Sequence, residues 1–73
     1  MRCSDLIGKE VLDAEAKSVG YVRDIDFEVD KWNVISIVVK TGFIKKVLIP
    51  VSTIDKIGDR VILKISADKI QKK

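Results

Sequence analysis

One stretch, residues 19–29, constrains this chain more than any other, because apolar and polar side chains alternate along it. Val19, Tyr21, Ile25, Phe27 and Val29 fall on one face, and Gly20, Asp24, Asp26 and Glu28 on the other, with Arg23 breaking the apolar face. Side chains repeat every second residue only in an extended chain, so the pattern predicts a half-buried β-strand. The strand is long for a chain of 73 residues. To enclose a core it must bend, and Gly20 is where a corner or a close backbone approach is tolerated.

The neighbouring segments follow from the same reasoning. Asp30-Lys31-Trp32-Asn33 makes a turn, and residues 34–40 form a nearly continuous Val/Ile run, which predicts a central strand. Thr41-Gly42 reverses the chain, and residues 44–50 give the next strand, ended by Pro50, which cannot donate to a ladder. Upstream, residues 4–8 predict a helical turn capped by Ser4 and stopped by Gly8, with Leu6 and Ile7 supplying apolar contact. A short strand then begins over residues 9–13. Residues 13–18 are polar and small; they suit a turn or one loose helical turn, and their alanines argue against a tight hairpin. Downstream, Ser52 and Asp55 have capping-box spacing, and Ile54 and Ile57 share a face, so residues 52–57 predict a capped helical turn ended by Gly58. Residues 60–66 are the last strand. The expected organisation is one domain over residues 1–66 with a basic tail over residues 67–73.

Two Phe, one Trp and one Tyr leave the interior to aliphatic side chains. A domain of this size buries only about 60% of the surface of its unfolded chain, so pairing with another protein or with a second copy, as a homodimer, is expected. Asn, Gln, Cys and Met are scarce in a Lys-rich chain, a composition that leans toward a thermophilic source. The lone Cys3 cannot form an internal disulfide, which points to a reducing, cytoplasmic interior. No apolar run approaches the roughly 20 residues of a membrane span, and the start does not resemble a signal peptide. A net charge of +3 with both signs interspersed names no partner.

The chemistry-bearing residues are few. Histidine is absent and Cys3 is the only thiol, which excludes Cys-His and Ser-His-Asp nucleophile systems within the chain. No enzyme activity and no cofactor are expected. Gly8, Gly20, Gly42 and Gly58 are dispersed, so there is no phosphate-binding loop. Asp24, Asp26 and Glu28 project from one strand face roughly 7 Å apart. Mg²⁺ or Ca²⁺ would want further ligands converging from loops, so a solvated face is the expectation and no metal site is assigned. Trp32 and the pair Phe43-Ile44 lie at turns beside Lys31, Lys45 and Lys46. Trp32, Phe43, Ile44, Lys45 and Lys46 are therefore the candidate partner-binding residues. The alternative is that Trp32 and Phe43 fold back as lids over the ends of the barrel. Lys45, Lys46, Lys64, Lys69, Lys72 and Lys73 could contact phosphates. Nucleic-acid platforms add aromatics on a sheet face, however, and here no strand offers more than isolated ones.

Asp5-Leu6-Ile7-Gly8-Lys9-Glu10-Val11 and Asp55-Lys56-Ile57-Gly58-Asp59-Arg60-Val61 share the pattern Asp-x-Ile-Gly-x-x-Val. Two copies do not make a solenoid. They mark two equivalent strand entries, with the first and last strands placed to close a barrel. Together with Gly20-Tyr21-Val22-Arg23-Asp24-Ile25, the run over residues 34–39, Ile49-Pro50 and Ile57-Gly58-Asp59, the segment Leu6-Ile7-Gly8-Lys9-Glu10-Val11 resembles the PRC-barrel family over nearly the whole chain. The resemblance implies an all-β fold, a small and strongly bent antiparallel β-barrel, used as a protein-interaction module. Relatives include a domain of the photosynthetic reaction-centre H subunit, the C-terminal domain of a ribosome-maturation factor, and stand-alone archaeal proteins, some tied to cell division. It implies a non-enzymatic adaptor, in an archaeal cell-division or membrane-scaffold assembly or, alternatively, in ribosome maturation or RNA handling. The chain departs from the family pattern between Asp13 and Gly20, where Ala16 stands in place of a frequent glycine.

Overall fold

Residues 1–42 and 45–69 are described by the computed structural model. A short helix, α1 (Cys3–Leu6), precedes six strands: β1 (Glu10–Leu12), β2 (Ser18–Glu28), β3 (Asn33–Thr41), β4 (Lys45–Pro50), β5 (Ile54–Ile57) and β6 (Val61–Leu63). Two 3-10 turns lie at Val51–Thr53 and Ala67–Lys69. The strands form one sheet in the order β4-β3-β2-β1-β6-β5. Neighbours run antiparallel except β1 and β6, which are parallel.

The all-β class follows the alternation in the sequence, but the sheet is curled and not closed. Its edges are β4 and β5. Val47 and Ile49 on β4 share one buried cluster with Val61 and Leu63 on β6, together with Leu6, Val11, Val22, Ile37 and Val39. Across a flat sheet those strands would stand roughly 19 Å apart, four spacings of about 4.8 Å, too far for side chains to meet. Burial of one aliphatic face therefore requires the curl.

Bulges supply it. Val11 pairs with Gly20 and Leu12 with Ser18, leaving Val19 extra; Val22 pairs with Val39 and Asp24 with Val38, leaving Arg23 extra. Each extra residue bends the strand and shifts its phase. The expectation that Tyr21 shares the inner face with Ile25 is thus overturned. Gly20 and Val22 point inward before Arg23 and Ile25 after it, while Tyr21 is exposed. Gly20 is a close approach, as expected. A Cβ there would lie 2.2 Å from the Lys40 carbonyl oxygen and 3.0 Å from Val39 Cγ1.

The connections bring further corrections. In α1, Ser4 lies inside the helix and Arg2 is the cap, its N–H donating to Asp5 Oδ2 at 3.0 Å. Gly8 ends the turn at φ +93°. Residues 13–17 form a tight turn despite the alanines, with Asp13 N–H donating to the Lys17 carbonyl at 2.9 Å and Ala16 held at φ +65°. The compensation is Asp13, only 1% exposed. Its Oδ1 accepts the Glu15 and Lys17 N–H groups, and its Oδ2 the Ala67 N–H, each at 2.8 Å.

Residues 54–57 are strand β5, not a helical turn. Ile54 pairs with Leu63 and Lys56 with Ile62, so Asp55 is extra. That bulge brings Ile54 and Ile57 to the same side, and both pack on the core. Their spacing of three imitates a helix for this reason. The preceding 3-10 turn is fixed by Thr53 Oγ1 donating to the Pro50 carbonyl at 2.7 Å, with no side-chain cap from Ser52. The last strand is shorter than residues 60–66.

The two Asp-x-Ile-Gly-x-x-Val copies enter adjacent strands, and Val11 is the register partner of Val61. The first copy begins inside α1, the second inside β5. The first and last strands lie side by side within the sheet instead of closing it. Lys9 Nζ donates to the Gly58 carbonyl at 2.6 Å, and Arg60 Nε to Glu10 Oε1 at 3.1 Å, tying the copies together.

Candidate functional site

The nine residues of β3 span roughly 27 Å, and they separate two surfaces of different chemistry. The candidate residues proposed from sequence do not assemble into one site. Trp32 precedes β3 at its turn with β2, whereas Lys45 and Lys46 pair with Thr41 and Lys40 at the far end. Phe43 and Ile44 lie outside the described residues.

The turn end is apolar. Bulging of Ile35 between the pairs Asp26–Ser36 and Phe27–Val34 brings Val34 onto the inner face beside Ile37. There the curled sheet opens into a cleft of about 210 Å³. Leu6 and Ile37, both buried, floor it; Met1, Cys3, Ile25, Val34, Val51, Ile54 and Ile57 line it, and Arg2 is its one charged neighbour among the described residues. Phe27, Val29 and Ile35 are exposed nearby in the same ribbon. Trp32 is 75% exposed, which removes the lid reading. Its backbone is also in the left-handed region at φ +57°. A bulky residue rarely adopts that conformation, and strain kept at an exposed site is a pointer to function.

The opposite end is cationic. Lys40 pairs directly with Lys46 and with Tyr21, and Tyr21 with Glu10, so one row crosses four strands. An open hollow of about 550 Å³ lies beside it, lined by Ser18, Val19, Gly20, Tyr21, Lys40 and Gly42. The carboxylate of Glu10 is taken by Arg60.

The remaining acids have structural or solvated places. Asp24, Asp26 and Glu28 are exposed, and Asp24 Oδ1 accepts the Ile25 N–H at 2.8 Å. Among the described residues no group of three or more His, Cys, Asp or Glu side chains is placed to hold a metal ion. Asp13 is held below the ordinary aspartate range, first by the Lys17 N–H, then by those of Ala67 and Glu15 and by the Lys17 charge, against the opposing effect of burial. That carboxylate has its acceptor sites filled by backbone and serves the turn. No helix among the described residues is long and apolar enough to cross a membrane.

Sequence reasoning misses the cleft rim and Tyr21. A signal for the rim exists: residues 34–39 are apolar on both faces, with Val34, Ile35 and Val38 in excess of what one buried face needs. Tyr21 has no such signal, because only the bulge at Arg23 turns it outward.

The profile of the PRC-barrel domain matches residues 1–70. Among solved structures, the chain is similar to RimM of Pseudomonas aeruginosa, described as a 16S ribosomal RNA processing protein, with a TM-score of 0.72 and 18% identity. The likeness covers 93% of this chain and 45% of that one, so this chain spans less than half the length of that protein. At that identity the likeness is one of fold. No curated protein matches the chain.

Proposed function

This chain belongs to the PRC-barrel domain family, and from that premise we propose that it is a non-catalytic module docking on a protein component of an RNA-processing or ribosome-maturation assembly. The observation that carries the docking is the apolar cleft rimmed by Val34 and Val51, with Trp32 exposed at the same end. A module this small gains by covering such a surface, and Trp is enriched where binding energy concentrates. The likeness to an RNA-processing protein favours this setting over a cell-division or membrane-scaffold one. Edge strand β4 begins Lys45-Lys46 and ends at Pro50, residues that blunt edge-to-edge pairing. The cleft is therefore a better docking site than the edge, and a homodimer built through that edge is the lesser route.

The test is gradient sedimentation of tagged protein in a lysate of its source cells. The intact chain is expected to travel with ribosomal precursor particles, and Val34→Asp to leave it at the top of the gradient while the purified variant keeps its folded spectrum. Wild-type protein found only at the top, or a variant that travels unchanged, overturns the reading.

A further inference from the structure

Lysines placed directly opposite each other on antiparallel strands repel and destabilise the pair, yet Lys40 and Lys46 are register partners, while Lys45, opposite Thr41, points to the other face. Among the described residues no carboxylate forms an ion pair with either of them. The next member of the row is Tyr21, 55% exposed. Directly paired residues share a face, so the row presents an aromatic ring and two ammonium groups at strand spacings of about 4.8 Å. The acid that follows, Glu10, is already engaged by Arg60 at 3.1 Å. Beside the row the hollow is floored by Gly20, where the Lys40 carbonyl excludes even a Cβ, and opens at Gly42. Asp24 and Asp26 lie further along β2 toward the apolar end, and they would repel an anion that ran along the strands.

We infer that this face binds single-stranded RNA crosswise, one base stacked on Tyr21 and adjacent phosphates held by Lys40 and Lys46. Charge complementarity selects a polyanion, and the exposed ring selects one that carries bases over an acidic peptide. The inference rests on the RNA-handling reading for its setting but uses none of the residues of the apolar cleft.

The test is fluorescence anisotropy of a labelled oligouridylate titrated with the purified full chain at several salt concentrations. Two phosphate contacts at about 0.7 each give a log–log salt slope near −1.4. Lys46→Gln is expected to weaken binding and to flatten the slope by about 0.7, whereas Tyr21→Leu is expected to weaken binding at least about fivefold with the slope unchanged. Lys46→Glu gives Lys40 an opposite charge across the ladder, so its melting temperature is expected to rise as RNA binding is lost; a purely structural role for Lys46 would not separate the two. No binding at low salt, unchanged affinity and slope in Lys46→Gln, or displacement by polyglutamate as effective as by unlabelled RNA would each overturn the inference. None of those results touches docking at the cleft, which the sedimentation of Val34→Asp tests alone.

Discussion

The two ends of the β2–β3 ribbon are made from the same two strands, yet one is tightly built and the other is left open. At the Lys40 end, Gly20 sits where no Cβ fits, and the adjoining β1–β2 turn holds a buried carboxylate with three N–H groups. At the Trp32 end, Val34 and Val51 stand at the rim of an uncovered cleft, and a tryptophan is kept in a strained conformation without packing to justify it. The lesson is that backbone precision and binding capacity are divided. Bulges at Val19 and Arg23 bend the sheet at one end, while the bulge at Ile35 spreads apolar side chains over the other.

The contrast can be broken by substitution. Gly20→Ala is expected to have the largest effect on stability, a loss of about 1–3 kcal/mol, because the Lys40 carbonyl must move; urea unfolding measures it, and a negligible loss would mean that the ribbon is not tight there. Acid comes next. The folded pKa of Asp13 lies below its ordinary 3.8, so its contribution is fully present above that value and is lost as pH falls through the lower folded one. Asp13→Asn is expected to lower stability at neutral pH and to flatten the acid limb of the stability profile; an unchanged limb would place the acid sensitivity elsewhere. Ala16→Gly relieves a left-handed alanine and is expected to raise stability by a few tenths to about 1 kcal/mol. At the open end, Val34→Asp is expected to shift stability by only about 0.5 kcal/mol, since the side chain is exposed. A large loss there would show that the cleft rim belongs to the core.

Much of the architecture is legible in the sequence, because alternation over residues 19–29 and the Val/Ile run that follows report strands directly. Bulges are not legible, since an extra residue leaves no compositional mark. That is why Tyr21 reads as inward and why Ile54 and Ile57 read as one face of a helix. Asp13 escapes for a different reason: its three partners include Ala67, 54 positions away in sequence. For the candidate sites, the types of residue are visible but not their grouping. Trp32 and Lys46 look like neighbours in a string of turns, and only the length of β3 separates them.

Photo-crosslinking in cells, with a photoreactive residue placed at position 34 or at position 46, tells whether the Trp32 end meets protein and the Lys46 end meets RNA. The expected result is a product at position 34 that resists ribonuclease and is lost to protease digestion of the partner, and a product at position 46 that ribonuclease trims. RNA at position 34, or the same protein captured from both positions, would contradict it.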